Sequence, residues 1–295
     1  MTDLAWEYPR RFLGCAAEIS RPGTALFGAP LDATTTFRPG TRFGPSRVRE
    51  ASQVLEEYSP TLDMDIRDAA VRDIGDLVLP FGDVGSALGI IETCVAAIYD
   101  GGDVPFMLGG EHLVTLPAVS AACMRYAQLA VIHIDAHADM RHEYLGEKLS
   151  HATVMRRVSE LPGVAAVYQL GIRSGTAEEM RGAFGGRVHP GEVARPLRAL
   201  RDDLSGRPVY VSVDIDVLDP AYAPGTGAPE PGGVAPGEIL ESVALLRDMN
   251  IVGFDLVEVA PAYDHSDITS ILAAKIVREA LLAVDAGIAR RVPPR

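Results

Sequence analysis

Thiols are scarce in this 295-residue chain: Cys15, Cys94 and Cys123 are odd in number, far apart and outside any C-x-x-C spacing. That pattern argues against a disulfide framework and against a thiolate metal site, and it fits a reducing compartment. Basic residues are also in short supply. Lys and Arg number 27 against 40 Asp and Glu, giving a formal charge of −13. Nucleic acid and anionic membrane surfaces are bound by clustered cations, so neither is expected as a partner. An acidic surface mildly favours a cationic small molecule. No apolar run is long enough to span a bilayer, and Met1–Arg11 carries acidic residues where a signal peptide has its apolar core, so the cytoplasm is the expected location.

What is present is a soluble, globular composition with 47% hydrophobic and 23% charged residues. No repeat, low-complexity segment or linker divides the chain, and a single domain over residues 1–295 is expected. Residues 1–22 read as an irregular lead-in, with Trp6 and Phe12 as anchors. Strands are expected at 24–30, 71–74, 104–108, 129–135, 165–170, 187–189, 208–215 and 251–259. Helices are expected after Pro45, where Val48, Ala51, Val54, Leu55 and Tyr58 recur at helical spacing, and at 84–99, 116–126, 177–184, 192–204, 236–249 and 268–286. Strands alternating with helices predict a three-layer α/β/α sandwich with a mainly parallel central sheet. The loop 31–44 is rich in Thr, Gly and Pro and long enough to shape a site or an interface.

The chemistry concentrates at strand ends. Val131-Ile132-His133-Ile134-Asp135-Ala136-His137-Ala138-Asp139 is an apolar run closing on metal-capable side chains at every second position. Ionised carboxylates lose hydration there unless something compensates them. His112, Asp214 with Asp216, and Glu258 also fall at or just past expected strand ends, where ligands bind in parallel sheets. Each has an ordinary explanation when taken alone: helix capping for Asp135 and Asp139, turn formation for Asp214 and Asp216 before Asp219-Pro220, helix entry for His112, a salt bridge for Glu258. Together, His112, Asp135, His137, Asp139, Asp214 and Asp216 make a ligand set for divalent cations. Carboxylates 4 Å apart repel by roughly 4 kcal/mol at an effective dielectric near 20, and two divalent ions cancel four such charges. Nitrogen and oxygen ligands without thiolate suit Mn2+, and paired metals generate hydroxide near neutral pH. Hydrolysis of an unreactive carbon–nitrogen or phosphoryl bond is the reaction class implied.

Gly109-Gly110-Glu111-His112, Asp135-Ala136-His137-Ala138-Asp139, and Ser212-Val213-Asp214-Ile215-Asp216 leading into Asp219 to Gly227 together resemble the ureohydrolase family of arginases and agmatinases, over nearly the whole chain from Thr24. The resemblance implies a two-manganese hydrolase of guanidino compounds that assembles as trimers or hexamers. It implies that Asp135 and Asp214 bridge the ions, with His112 and Asp139 on one and His137 and Asp216 on the other. It further implies that Asp139 orients the attacking hydroxide, Glu258 holds the guanidinium, and His151 transfers a proton to the leaving amine. His133, His142, His189 and His265 are left as structural, His133 with core packing favoured over orienting a ligand.

The tracts 37–45, 145–151 and 257–265 resemble the bacterial agmatinase branch, which implies agmatine as substrate and putrescine and urea as products. Met140 and Arg141 stand where arginases carry polar residues for an amino-acid head. Ala228 and Ala152 depart from a usual threonine and glycine and bear on the substrate's tail. Guanidinobutyrate or arginine hydrolysis is the alternative within the family, and a non-catalytic metal-binding scaffold the alternative outside it.

Overall fold

The computed structural model describes residues 4–16, 18–182 and 186–291. Its strands are β1 (Trp6–Glu7), β2 (Thr24–Ala29), a small hairpin β3 (Tyr58–Ser59) and β4 (Met64–Asp65), β5 (Val71–Leu77), β6 (Val104–Gly109), β7 (Leu129–Ile134), β8 (Val164–Ile172), β9 (Gly186–Pro190), β10 (Pro208–Asp214) and β11 (Asn250–Val257). The helices are α1 (Gly44–Ser52), α2 (Val84–Asp100), α3 (Thr115–Arg125), α4 (Val154–Ser159), α5 (Ala177–Met180), α6 (Ala194–Asp203), α7 (Pro236–Leu245) and α8 (Ile268–Arg291).

Nine strands form one sheet in the order β1-β5-β2-β6-β11-β10-β7-β8-β9, parallel throughout except for antiparallel β1 on β5. The central strands read as apolar runs because both faces are covered. In β7, Ala130, Ile132 and Ile134 enter the core shared with α1, α6, α7 and α8, while Leu129 and Val131 enter the core shared with α2, α3 and α4. Successive side chains of a strand point to opposite faces, so one six-residue segment feeds both cores. Each fully buried aliphatic side chain contributes about 1.5–3 kcal/mol. The three-layer architecture expected from the alternating pattern is the one observed.

Several boundaries differ from the sequence reading. The lead-in is not wholly irregular: Trp6 and Glu7 pair with Leu77 and Asp76, and Phe12 is buried. Helix α1 stops at Ser52, Val54 is 73% exposed and Tyr58 lies on β3, so the helical spacing past Ser52 is accidental. Helix α5 ends at Met180, short of the expected Phe184, which lies outside the described residues. The α7 segment tightens into a 3-10 turn at Leu246–Asp248, and α8 runs past Ala286 to Arg291.

The near edge of the sheet is held by a buried ion triad. Arg49, fully buried on α1, donates from Nε to Asp73 Oδ2 at 2.8 Å, from Nη2 to Asp73 Oδ1 at 2.9 Å, and from Nη1 to Asp76. The Phe12 N–H adds a 2.8 Å bond to Asp73, so the same carboxylate ties the lead-in to β5. Removing the cation leaves two buried carboxylates unpaired, which typically costs about 3–5 kcal/mol. Arg49→Leu is therefore expected to destabilise the fold by that amount in urea unfolding, and a loss below about 1 kcal/mol would show the triad to be neutral.

Candidate metal and substrate site

The four central strands β6, β11, β10 and β7 are neighbours in the sheet, and each ends in, or is followed within three residues by, a polar residue: His112, Glu258, Asp214 and Asp135. Register places them together: Leu108 pairs with Leu256, Asp214 with Val257, and Val213 with Ile134. After β6 the chain turns under the β2–α1 loop at Gly110, where a Cβ would lie 1.9 Å from Leu31 O. Only glycine permits that approach, and it delivers His112 to the crevice.

His112, Asp135, Asp139 and Asp214 meet at one point. Nδ1 of His112 lies 3.1 Å from Asp135 Oδ2 and 3.3 Å from both Asp139 Oδ2 and Asp214 Oδ2, without a directional hydrogen bond to any of them. A second point gathers Asp135, His137 and Asp216. Nδ1 of His137 lies 2.9 Å from Asp216 Oδ2 and 3.6 Å from Asp135 Oδ1. The two oxygens of Asp135 thus face different imidazoles. Asp214 Oδ1 accepts the Asp216 N–H at 2.9 Å, leaving Oδ2 toward His112.

The tautomer of His112 follows from its other nitrogen. Ser212 Oγ donates to Asp255 Oδ1 at 2.6 Å, so its lone pairs must accept the Nε2–H of His112, 2.9 Å away. In the neutral ring that leaves a bare lone pair on Nδ1 pointing at three carboxylates, an arrangement that a proton satisfies until a metal cation displaces it. The donor set fits divalent metal: imidazole and carboxylate ligands, with the far side of the ring tied to a hydroxyl and a carboxylate in the usual manner of metal-ligating histidines.

Titration directions express the same conflict. Burial opposes charge on His112 and His137, yet the neighbouring carboxylates outweigh it and raise both imidazoles. Burial, reinforced by the charges of Asp216 and Asp135, pushes Asp214 well above the usual carboxylate range, and burial with the Asp135 charge raises Asp216. Asp135 goes the other way: burial would raise it, but His133 and the contacts from His112 and His137 hold it well below.

His133 is an orienting residue as well as a core residue, a correction to the weighting given by sequence. Gln169 Nε2 lies 3.0 Å from His133 Nδ1 and donates to Ala138 O at 2.6 Å, so His133 accepts at Nδ1 and donates from Nε2 to Asp135 Oδ2 at 2.7 Å. Its nitrogens are both spent, and although it sits within the first group of metal-capable atoms it is not free to act as a ligand. Asp139 and Glu258 are held in the left-handed region, φ 52° and 64°. Non-glycine residues there cost on the order of 1 kcal/mol. Asp139 O accepts from Met155 N and Arg156 N at 3.1 and 3.2 Å, and Glu258 N donates to Gly110 O at 2.9 Å.

Of the ligand groups, His112, His137, Asp139, Asp214 and Asp216 line a cavity of about 300 Å³ together with Thr35, Phe37, Arg141, Tyr144, His151, Gly227, Ala228 and Glu258. The loop 31–44 shapes this site. Glu258 Oε1 accepts the His112 N–H at 2.8 Å, and a Cβ at Gly227 would lie 3.2 Å from the other oxygen, so glycine keeps that oxygen uncovered. Burial and the Glu111 charge raise Glu258 to about 8 against the opposing His112 N–H. Burial lowers the pKa of His151. Ser212 and Asp255 escaped the sequence reading although period-2 alternation puts Ser212 on the same face as Asp214, and Asp255 is its register partner. Thr34 and Gln169 carry no local signal.

Fold and site define a three-layer α/β/α protein with an imidazole–carboxylate centre for paired metal ions at the carboxyl ends of its strands. The arginase family model matches residues 23–283, and the chain belongs to the arginase family. It is 49% identical over 275 residues to the agmatinase of Bacillus subtilis (strain 168), covering 92% of this chain and 95% of that protein. It is 38% identical over 288 residues to the guanidinobutyrase of Pseudomonas aeruginosa, with 93% and 90% covered. The agmatine ureohydrolase of Thermoplasma volcanium superposes with a TM-score of 0.85 at 30% identity, covering 97% of this chain and 98% of that one.

Raised imidazoles and carboxylates hold protons when no metal competes for the same atoms. Metal loading must expel them, and affinity must fall as pH falls. Adding Mn2+ to the metal-free protein near pH 7.5 in weak buffer is expected to release at least one proton per chain, and a titration that releases none contradicts the ligand set.

Proposed function

We propose that the chain is an agmatinase, hydrolysing agmatine and water to putrescine and urea, with His112, Asp135, His137, Asp139, Asp214 and Asp216 holding two divalent ions, most naturally Mn2+. The observation that carries this reading is the convergence of the Nδ1 lone pair of His112 and four carboxylates beside Glu258 in one cavity. When bound, the metal ions supply Lewis acidity that makes hydroxide available near neutral pH and steadies the charge that develops on attack.

The residues of the chain do the rest. Glu258 presents its uncovered oxygen to the guanidinium, a cation whose fork matches a carboxylate, and a cationic partner draws the raised carboxyl back to its charged form. Asp139, held by the start of α4, orients the attacking oxygen. His151 exchanges a proton at the cavity wall, so the amine leaves protonated and neutral urea remains. Tyr144 packs edge-on against His151 with ring centroids 5.8 Å apart, and Phe37 and Ala228 border the space for the four-carbon tail.

One observation favours a second reading. Arg141 lines the cavity with its guanidinium 4.9 Å from the centroid of the Tyr144 ring. A cation there suits a carboxylate-bearing tail, as in guanidinobutyrate, better than the ammonium of agmatine. Urea release from agmatine, guanidinobutyrate and arginine by the manganese-loaded protein separates the two: agmatine is expected to lead by at least about 10-fold in kcat/KM, worth about 1.4 kcal/mol. Preference for guanidinobutyrate reverses the assignment.

On the same footing we take residues 1–295 to work as one domain and the chain to act in the cytoplasm as a trimer or hexamer. An exposed apolar groove at Tyr222, Ile268 and Ile271 supports assembly, and among the described residues no helix is long and apolar enough to cross a membrane.

Asp135→Ala and Asp214→Ala are expected to abolish both metal retention and turnover. Glu258→Gln, which removes a charge-assisted contact worth about 1.5–3 kcal/mol, is expected to lower kcat/KM by roughly 10- to 100-fold while metal stays bound. His151→Ala is expected to retain metal and lower kcat. Full activity of a chelated, metal-free sample would sink the reading.

A further inference from the structure

Thr34, on the loop between β2 and α1, makes contacts that the reaction as described leaves unexplained. Its backbone N–H donates to Glu111 Oε2 at 2.7 Å, and its hydroxyl donates to the same oxygen at 2.9 Å. Glu111 is completely buried, and Thr35 Oγ1 adds a longer 3.4 Å contact to that oxygen. With its single hydrogen directed at Glu111, Thr34 Oγ1 has only lone pairs left to offer.

Those lone pairs face His151. The backbone N–H of His151 donates to Thr34 Oγ1 at 3.1 Å, and ring Nδ1 lies 3.3 Å from the same oxygen. Nδ1 can bond to an oxygen that only accepts if Nδ1 itself carries hydrogen. In a neutral imidazole that leaves Nε2 bare. Burial favours the neutral ring, and the ring lines the cavity.

We propose that Thr34, held by Glu111, is a positioning residue that fixes the tautomer of His151 and so selects Nε2 as the nitrogen that exchanges the proton with the departing amine. The inference rests on the proton-transfer role given to His151 above and adds the device that makes the role specific. The step balances: Nε2 takes one proton as water adds to the guanidinium carbon and returns it to the amine nitrogen, and the remaining hydroxyl hydrogen passes to the same nitrogen as the carbon–nitrogen bond breaks, so the amine leaves as an ammonium and urea is neutral. Without the hydroxyl, Nδ1–H has no acceptor in this direction. The ring is then free to carry its hydrogen on Nε2, where it cannot take up a proton.

A double-mutant cycle on manganese-loaded protein with agmatine tests this. Thr34→Val is expected to lower kcat about 10-fold, with KM within about twofold and metal content unchanged, since general acid–base groups contribute 10²–10⁴-fold in all. Thr34→Ser keeps the hydroxyl and is expected to stay within about threefold of the parent. In a His151→Ala background, Thr34→Val is expected to cost nothing further, because no tautomer remains to be fixed. An equal loss in both backgrounds would mean that Thr34 acts through the fold or the substrate, and would overturn the inference, as would Thr34→Val with parental kcat. Parental turnover by His151→Ala alone would refute the His151 role itself, a different result that removes both.

Discussion

Four aspartates and His112 share a largely buried crevice, and most of what surrounds them manages the repulsion. The solution recurs at Asp135, Asp214, Asp216 and Glu258. One oxygen takes a backbone N–H: His137 N on Asp135 at 2.5 Å, Asp216 N on Asp214 at 2.9 Å, Ala136 N on Asp216 at 3.1 Å, His112 N on Glu258 at 2.8 Å. The other oxygen is turned toward the centre, at Asp135 while also accepting from His133. A peptide N–H carries no net charge, so it fixes orientation and offsets desolvation without neutralising the group. Orientation is thereby set by the chain, and charge balance is left to whatever cation enters. This separation suits a site that must be rigid and yet electron-rich.

The sheet explains why the donors lie where they do. Four adjacent parallel strands end at one level, and a backbone leaving a strand has N–H groups with no ladder partner. The carboxylates at those ends consume them. The strain at Asp139 and Glu258 belongs to the same arrangement: Glu258 leaves β11, and Asp139 turns in the loop after β7, through the left-handed region, and the bonds to Met155, Arg156 and Gly110 hold them there. Behind this front, His133 with Gln169 and Ser212 with Asp255 set ring orientations from inside the core. A metal ligand displaced by a fraction of an ångström loses much of its value, so rigidity from the core is a functional requirement.

Much of this was legible in the sequence, for a physical reason. Alternation in a strand and the placement of ligands at strand ends are local rules, so His112, the Asp135–Asp139 segment, Asp214, Asp216 and Glu258 could be singled out one segment at a time. The three-layer fold followed from apolar runs alternating with helical spacing. Legibility failed where partners come from far along the chain. Thr34 meets His151 across 117 positions, and nothing near either residue announces the contact. It failed also where spacing imitates structure, as at Val54 and Tyr58 beyond the end of α1, and where a two-residue strand such as Trp6–Glu7 depends wholly on its neighbour in the sheet.

The boundary between what is fixed and what can vary runs through the cavity. His112, Asp135, Asp214 and Asp216 are at most 3% exposed and belong to strand ends or the turns that follow them at once. Phe37, at 62% exposed, and Arg141 and Tyr144 stand on long loops at the mouth. Substitutions at the floor meet close packing and paired charges, whereas those at the mouth meet solvent. A scaffold built this way can keep the attack on a guanidinium carbon while changing the tail it accepts, because the two tasks draw on different residues that meet where Tyr144 packs against His151. Thr34 stands on the boundary. It comes from a loop yet bonds to a buried carboxylate, and through it the shape of the mouth can reach the protonation geometry of His151.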